Sequence, residues 1–281
     1  MQATIQYIKK ELAVLYPEFE VQGFVRLLLE TVCGLDYTAQ ILKINEIVGQ
    51  QEFREIEKAV SRLKQFEPIQ YILGETEFMD LKLTVNPSVL IPRPETEELA
   101  NWIIETNNFD SPRVLDIGTG SGCIPLALKN RMKNTIISAV DISAKALKVA
   151  KQNAIQNNLD VHFFEADILK WENYNWDLFD VIISNPPYVR EIEKQKMQPN
   201  VLKYEPEKAL FVTNENPLIF YERIAEFAKK HLDKNGKLFF EINEYLGNEM
   251  YNLLQRKEFV NIELRKDING KNRMISCVIN R

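Results

Sequence analysis

Val114-Leu115-Asp116-Ile117-Gly118-Thr119-Gly120-Ser121-Gly122-Cys123 is the stretch on which the reading of this chain turns. A short apolar strand runs into a glycine-rich turn, and a helical stretch follows. Glycine lets a ligand approach the backbone closely, and a helix N-terminus offers free N–H groups. The spacing is Gly-x-Gly-x-Gly. A dinucleotide fingerprint needs Gly-x-Gly-x-x-Gly, and its last place here is Cys123. No Gly-Lys-Ser/Thr follows, which excludes a Walker A loop. A tight turn without a ligand stays open on this stretch alone; Asp116, just before the loop, weighs towards binding.

Outward from this loop, strands and helices alternate. Strand candidates are residues 113–117, 135–140, 161–164, 179–184, 237–242, 260–266 and 273–279, with helical stretches between the first five. Ser143 is placed to cap the helix carrying Ala146, Leu147, Ala150 and Ala154. Asn216-Pro217 reads as an N-cap followed by proline at the first helical position. Such alternation implies a parallel sheet covered by helices on both faces. The last two strands are joined by a short turn at Asn269-Gly270, which requires an antiparallel hairpin.

Towards the N-terminus the period changes. Residues 74–92 read as a β-hairpin or extended linker, with alternation over 75–85 and Asn86-Pro87 after it. Leu90-Ile91-Pro92-Arg93-Pro94-Glu95-Thr96-Glu97 is held extended by its prolines before a helix towards Ile104. Residues 1–73 are helical: Ile5, Ile8, Leu12 and Leu15 share one stripe, and Phe53, Ile56, Val60 and Leu63 another. Residues 24–32 form the central buried helix. Eight basic and ten acidic residues give positions 1–72 a net charge of −2. A stabilising cap and a docking module both fit this front bundle.

The 281 residues carry a net charge of −5 and 45% apolar residues, an ordinary globular balance. That charge argues against a protein that coats nucleic acid. Neither a membrane span nor a secretory signal is read from the sequence. Cys33, Cys123 and Cys277 are far apart, and His162 and His231 are the only histidines, so no zinc site and no disulfide is expected. A reducing, cytoplasmic setting fits three free thiols.

Further acidic residues stand at strand ends. Asp141 closes the second strand, 23 residues after Gly118, where a carboxylate can accept ribose hydroxyls; a solvated charge or helix cap is the plainer alternative. Asp167, after the third, can accept from an adenine amino group or simply form a turn. Asn185-Pro186-Pro187-Tyr188 follows the apolar strand Val181-Ile182-Ile183-Ser184. Ligands in open α/β sheets bind beyond the carboxyl ends of strands. Pro186 holds Asn185 extended, and two prolines remove donors while keeping carbonyls. The result is a stiff, acceptor-only ledge. Asn185 Oδ1 and the Pro186 carbonyl can each take one N–H of a planar –NH2 group, with Tyr188 packing on its plane. A structural Pro-Pro turn is the alternative.

Together the loop, Asp141 and the Asn-Pro-Pro-Tyr ending resemble a class I S-adenosylmethionine-dependent methyltransferase that modifies a planar nitrogen. Pro68-Ile69-Gln70-Tyr71-Ile72-Leu73-Gly74, residues 90–97 (LIPRPETE), and Tyr204-Glu205-Pro206 with Ala209-Leu210 narrow the resemblance to the HemK/PrmC family. Its members are protein-(glutamine-N5) methyltransferases acting on peptide chain release factors. The resemblance implies a Rossmann-like, mostly parallel seven-stranded sheet with an antiparallel C-terminal hairpin over residues 93–281. A small all-α bundle precedes it and helps hold the release factor. It implies S-adenosylmethionine as cofactor and no metal. The acceptor is the glutamine of a Gly-Gly-Gln motif. Asp116, Gly118, Thr119, Gly120, Ser121, Gly122, Asp141, Asp167, Ile168 and Asn185 stand on the cofactor side. Asn185, Pro186, Pro187 and Tyr188 hold the glutamine. Some members carry an aromatic residue where Ile168 stands, so no stacking partner for the adenine is assigned, nor is Trp171, close by, given that role. Roles for Arg93, Thr96 and Glu205 stay open between bracing and contact. A monomer without stable nucleic-acid binding is expected. Asn-Pro-Pro-Tyr alone is shared with adenine-N6 DNA or RNA methyltransferases, which is the alternative; a non-catalytic S-adenosylmethionine-binding scaffold is a second.

Overall fold

A computed structural model describes Met1–Ile279. The chain forms two compact units, one of Met1–Glu75 with Gln198–Tyr204, the other of Thr76–Met197 with the described residues from Glu205 on.

The first unit is helical: α1 (Gln2–Leu12), α2 (Glu18–Cys33), α3 (Tyr37–Leu42), α4 (Gln50–Leu63) and α5 (Ile69–Leu73). Its core is the apolar stripe of each long helix: Ile8 and Leu12, then Phe24, Leu28 and Leu29, then Ile56, Val60 and Leu63. The α1 stripe stops at Leu12 rather than reaching Leu15, which is 36% exposed. The chain turns there, and Tyr16 donates its hydroxyl to Leu63 O at 2.7 Å. Helix α3 is inverted. Its buried residue is Gln40, which donates to Arg26 O and Leu35 O, while Tyr37, Ile41 and Leu42 face outwards.

In the second unit, β1 (Glu75–Phe78) and β2 (Leu81–Thr84) form a hairpin. Its turn residues Met79 and Asp80 both take positive φ, 46° and 66°, the pairing that matches strand twist in two-residue turns. Phe78 and Leu83 are fully buried against α6 (Pro94–Thr106) and α7 (Cys123–Arg131). The hairpin is therefore part of the packed second unit, not merely a connection.

The sheet strands are β3 (Arg113–Ile117), β4 (Ile136–Asp141), β5 (His162–Glu165) and β6 (Phe179–Ser184). Helix α8 (Ala144–Gln156) joins β4 to β5. Past β6 come the short β7 (Val189–Arg190), α9 (Pro199–Tyr204), α10 (Glu207–Leu210) and β8 (Phe211–Val212). Then follow α11 (Ile219–His231), β9 (Leu232–Glu241), α12 (Gly247–Arg256), β10 (Phe259–Lys266) and β11 (Asn272–Ile279). The seven-stranded order is β10-β11-β9-β6-β3-β4-β5. All neighbouring pairs from β9 to β5 are parallel; β11 runs antiparallel between β9 and β10.

Alternation within each strand splits the core in two. Val114, Ile137, Val181 and Ile183 face α6, α7 and α8; Leu115, Val140, Ile182 and Phe240 face α11 and α12. A two-residue period forces this division in any sheet covered on both sides. Helix α11 begins at Ile219, so Asn216-Pro217 is not its cap; the Asn216 carbonyl accepts from Ile219 N–H in a preceding turn. Among the described residues no helix is long and apolar enough to cross a membrane, no group of ligands could hold a metal, and the three cysteines are unpaired.

Candidate active site

Sheet register brings the sequence-selected residues to one edge. Ile117 pairs with Val140 and with Ser184, and Asp141 pairs with Glu165. The loops after β3, β4, β5 and β6 thus leave adjacent strands, about 4.8 Å apart per step. Ser184 Oγ donates to Ile117 O at 2.7 Å, joining the glycine loop to the strand that ends in Asn185.

The glycine loop closes on backbone. Gly118 and Thr119 donate to Val140 O at 2.8 and 3.0 Å, and Gly122 donates to Thr119 O at 2.8 Å. Gly118, Gly120 and Gly122 have φ of 77°, 54° and 80°. A side chain on Gly120 would meet no atom within 4 Å, so the loop faces open space there. Asp141 Oδ2 accepts from Gly120 N–H at 2.9 Å and Oδ1 from Ser143 N–H at 2.8 Å. With the Ile142 N–H also directed at it, the carboxylate still has acceptor capacity for a ligand. Ser143 caps α8 by accepting from Ala146 N–H.

Beneath the loop, Asp116 is 1% exposed, and its carboxyl oxygens and the Thr119 hydroxyl form no well-aligned hydrogen bond among the described residues, their polar interaction being a loose one with each other. Burial pushes the Asp116 carboxyl up to about 7; Thr119 pulls it back and the charge of Asp141 adds to the rise. Ser121 is buried, and its carbonyl accepts from Asn153 Nδ2 at 2.9 Å. Asp167 caps the turn after β5, with Oδ1 accepting from Leu169 N–H at 3.0 Å. The Ile168 side chain is buried in the core with Leu115 and Val140.

Beside the loop stands the Asn-Pro-Pro-Tyr ledge. Asn185 Nδ2 donates to Thr96 Oγ1 at 3.3 Å, whereas Asn185 Oδ1 and the Pro186 carbonyl make no hydrogen bond among the described residues. Both residues line a small, open pocket with Leu90, Arg93, Val189 and Leu210. Tyr188 lines it too, but its hydroxyl is not free: it donates to Glu241 Oε1 at 2.9 Å. Burial and the Glu241 charge raise that phenol's pKa well above its ordinary value. Burial likewise raises the Glu241 carboxyl, with the Thr96 and Tyr188 hydroxyls and the Arg273 charge pulling back. Pro187 is half-buried and is not among the residues lining this pocket. Arg93 ion-pairs the buried Glu205, which also accepts from Ile91 N–H at 3.3 Å, so this pair braces the 90–97 segment at the pocket wall.

Sequence reasoning left three contributors unassigned. Thr96 sat inside a quoted motif without a role. Glu241 is a lone acid ending an apolar strand, a signal that could have found it. Asn153 is a polar residue on the buried stripe of α8, where it ties Ser121 of the loop to Thr84 of β2 through bonds of 2.7 to 3.0 Å.

Comparison with known proteins adds a second line of findings. Residues 4–74 match the PrmC N-terminal domain and residues 97–207 the methyltransferase small domain. A release factor glutamine methyltransferase of Flavobacterium psychrophilum is 45% identical over 268 residues, 94% of each chain. One from Bacteroides thetaiotaomicron is 41% identical, covering 96% of this chain and 97% of that one. A methyltransferase structure from Pyrococcus furiosus superposes with a TM-score of 0.51 at 19% identity, over 70% of this chain and 88% of that one, a likeness of fold.

Proposed function

The chain belongs to the release factor glutamine methyltransferase family and is a methyltransferase, and from that premise we propose its donor, its acceptor and its residue roles. The donor is S-adenosylmethionine. The acceptor is the side-chain amide nitrogen of the glutamine in the Gly-Gly-Gln motif of a peptide chain release factor.

The observation that carries this reading is the adjacency of the glycine loop and an acceptor ledge with two unpartnered oxygens, on paired strands. The residues present fit the cofactor. The loop leaves open space at Gly120, and beneath it the buried Asp116 carboxyl and Thr119 hydroxyl form no well-aligned hydrogen bond. Asp141 keeps lone pairs for ribose hydroxyls, and Asp167 stands at the adenine end. When bound, the cofactor supplies an electrophilic methyl group on a sulfonium.

An amide nitrogen is a poor nucleophile, so the chain's task is alignment. Asn185 Oδ1 and the Pro186 carbonyl would each accept one N–H of the glutamine amide, fixing its plane. Positive charge grows on that nitrogen as its bond to carbon forms, and two oriented dipoles stabilise it. One N–H proton is then lost to water. No base is required, in keeping with a ledge built without histidine. The same oxygens repel a carboxylate, which rejects glutamate.

The helical unit is proposed as the docking unit for the release factor, acting in the cytoplasm, with the enzyme a monomer that forms no stable complex with nucleic acid. The test is incubation with a release factor and methyl-labelled S-adenosylmethionine, followed by peptide mapping. One added methyl on the Gly-Gly-Gln glutamine is expected. Label appearing instead on duplex DNA, or on no glutamine, overturns the proposal.

A further inference from the structure

Glu241 ends β9 next to the ledge: Ser184 pairs with Phe240, so Glu241 and Asn185 are the next residues out on adjacent strands. The Glu241 side chain is buried and both its oxygens are occupied. Thr96 Oγ1 donates to Oε2 at 2.6 Å, and the Tyr188 hydroxyl donates to Oε1 at 2.9 Å. Two hydroxyls donate to the Glu241 oxygens and the Arg273 charge favours its ionised form, so Glu241 acts here as a carboxylate, which can only accept, and a threonine hydroxyl has one hydrogen. The Thr96 hydrogen is thus spent on Glu241. Thr96 can only accept from Asn185, and the atom of Asn185 facing it must be Nδ2, at 3.3 Å. A carboxamide carries its oxygen on the other branch, so Oδ1 is left for the pocket.

We propose that Glu241 is a positioning residue for methyl transfer: through Thr96 it fixes the Asn185 amide with its oxygen, not its –NH2, towards the acceptor. This rests on the function proposed above and deepens it, because the same orientation selects a carboxamide over a carboxylate. A reversed amide turns two donors into the pocket. Those donors oppose the N–H groups of glutamine and donate to the oxygens of glutamate.

Glu241→Gln and Thr96→Val, both near-isosteric, break the relay in the full chain. A glutamine offers either oxygen or nitrogen to Thr96, so the polarity is no longer imposed; valine removes the link. The measurements are kcat and KM for methylation of a release factor, and the relative affinity for that factor with its glutamine replaced by glutamate. Each variant is expected to lower kcat by about tenfold or more, the size of one lost oriented hydrogen bond, with KM for S-adenosylmethionine held within about twofold. The preference for glutamine over glutamate narrows several-fold in both, and Thr96→Ser, which keeps the hydroxyl, recovers most of kcat. A merely structural role lowers activity without moving that preference, and this outcome overturns the proposal. Solvent exchange of the Asn185 side-chain amide needs no substrate. It is expected to quicken in both variants, and unchanged exchange also overturns the inference. Failure of the wild-type enzyme to methylate the release factor strikes the underlying function instead, and is distinguished because it involves no variant.

Discussion

The glycine loop and the acceptor ledge leave neighbouring strands, yet they are held by different means. The loop is held mainly by backbone bonds, with Val140 O of β4 taking two N–H groups and Thr119 O taking the Gly122 N–H. Prolines leave the ledge no donors at two positions, so it leans on distant side chains. Asn243 Nδ2 donates to Tyr188 O at 3.0 Å, and Asn185 and Tyr188 end on Thr96 and Glu241. One element is shaped locally by glycine φ values; the other is aimed by residues that only the fold brings near. Damage to the loop should therefore appear in cofactor binding, and damage to the ledge in turnover.

Asn185→Ala tests the ledge most severely. It is expected to lower kcat by about 10²-fold or more, the loss typical of a removed oxyanion-type contact, while cofactor affinity changes far less. Single-turnover rates near wild type in that variant would reject the acceptor role.

Asp116→Asn probes what lies under the loop. The Asp116 carboxyl is raised to about 7 in the folded chain, against about 3.9 in an unfolded one. Between these values the folded state holds a proton that the unfolded state has lost, so this group's stabilisation falls as pH rises. Asparagine does not titrate. The stability of the variant relative to wild type should therefore improve by about 1–3 kcal/mol between pH 4 and pH 8. Thermal unfolding at both pH values measures it, and a pH-independent difference contradicts the buried neutral carboxyl.

Gly120→Val acts on the loop itself. At φ 54° a side chain is strained by about 1–2 kcal/mol, and it projects into the open space assigned to the cofactor. Cofactor affinity should weaken by about tenfold or more, with the folded chain retained; calorimetric titration giving wild-type affinity would remove the loop from the binding site.

Tyr188→Phe should give the smallest effect, a loss of kcat of about fivefold, because it removes one of two donors to Glu241 at about 1 kcal/mol and keeps the ring. Tyr188→Ala should cost several times more. Equal losses would mean that the hydroxyl, not the ring, is what the site uses.

Much of the molecule was legible in one dimension. Near-continuous apolar runs set β3 and β6, and the glycine run announced a turn that side chains resist. Asn269-Gly270 marked the hairpin that reverses β11; Gly270 has φ 77°. Two misreadings share one cause. The stripe through Leu15 and the cap at Asn216-Pro217 follow local pattern, and tertiary packing decided where each helix stopped or began.

Sequence determined which residue types stand at the strand ends: carboxylates, glycines and an amide followed by prolines. Local sterics and side-chain period fix those elements, and both act between near neighbours. Tertiary structure alone decided which way the Asn185 amide faces. That choice depends on hydrogen-bond direction running from Glu241 through Thr96, across 145 and then 89 positions of chain, and such a direction exists only once the three residues are held within bonding distance.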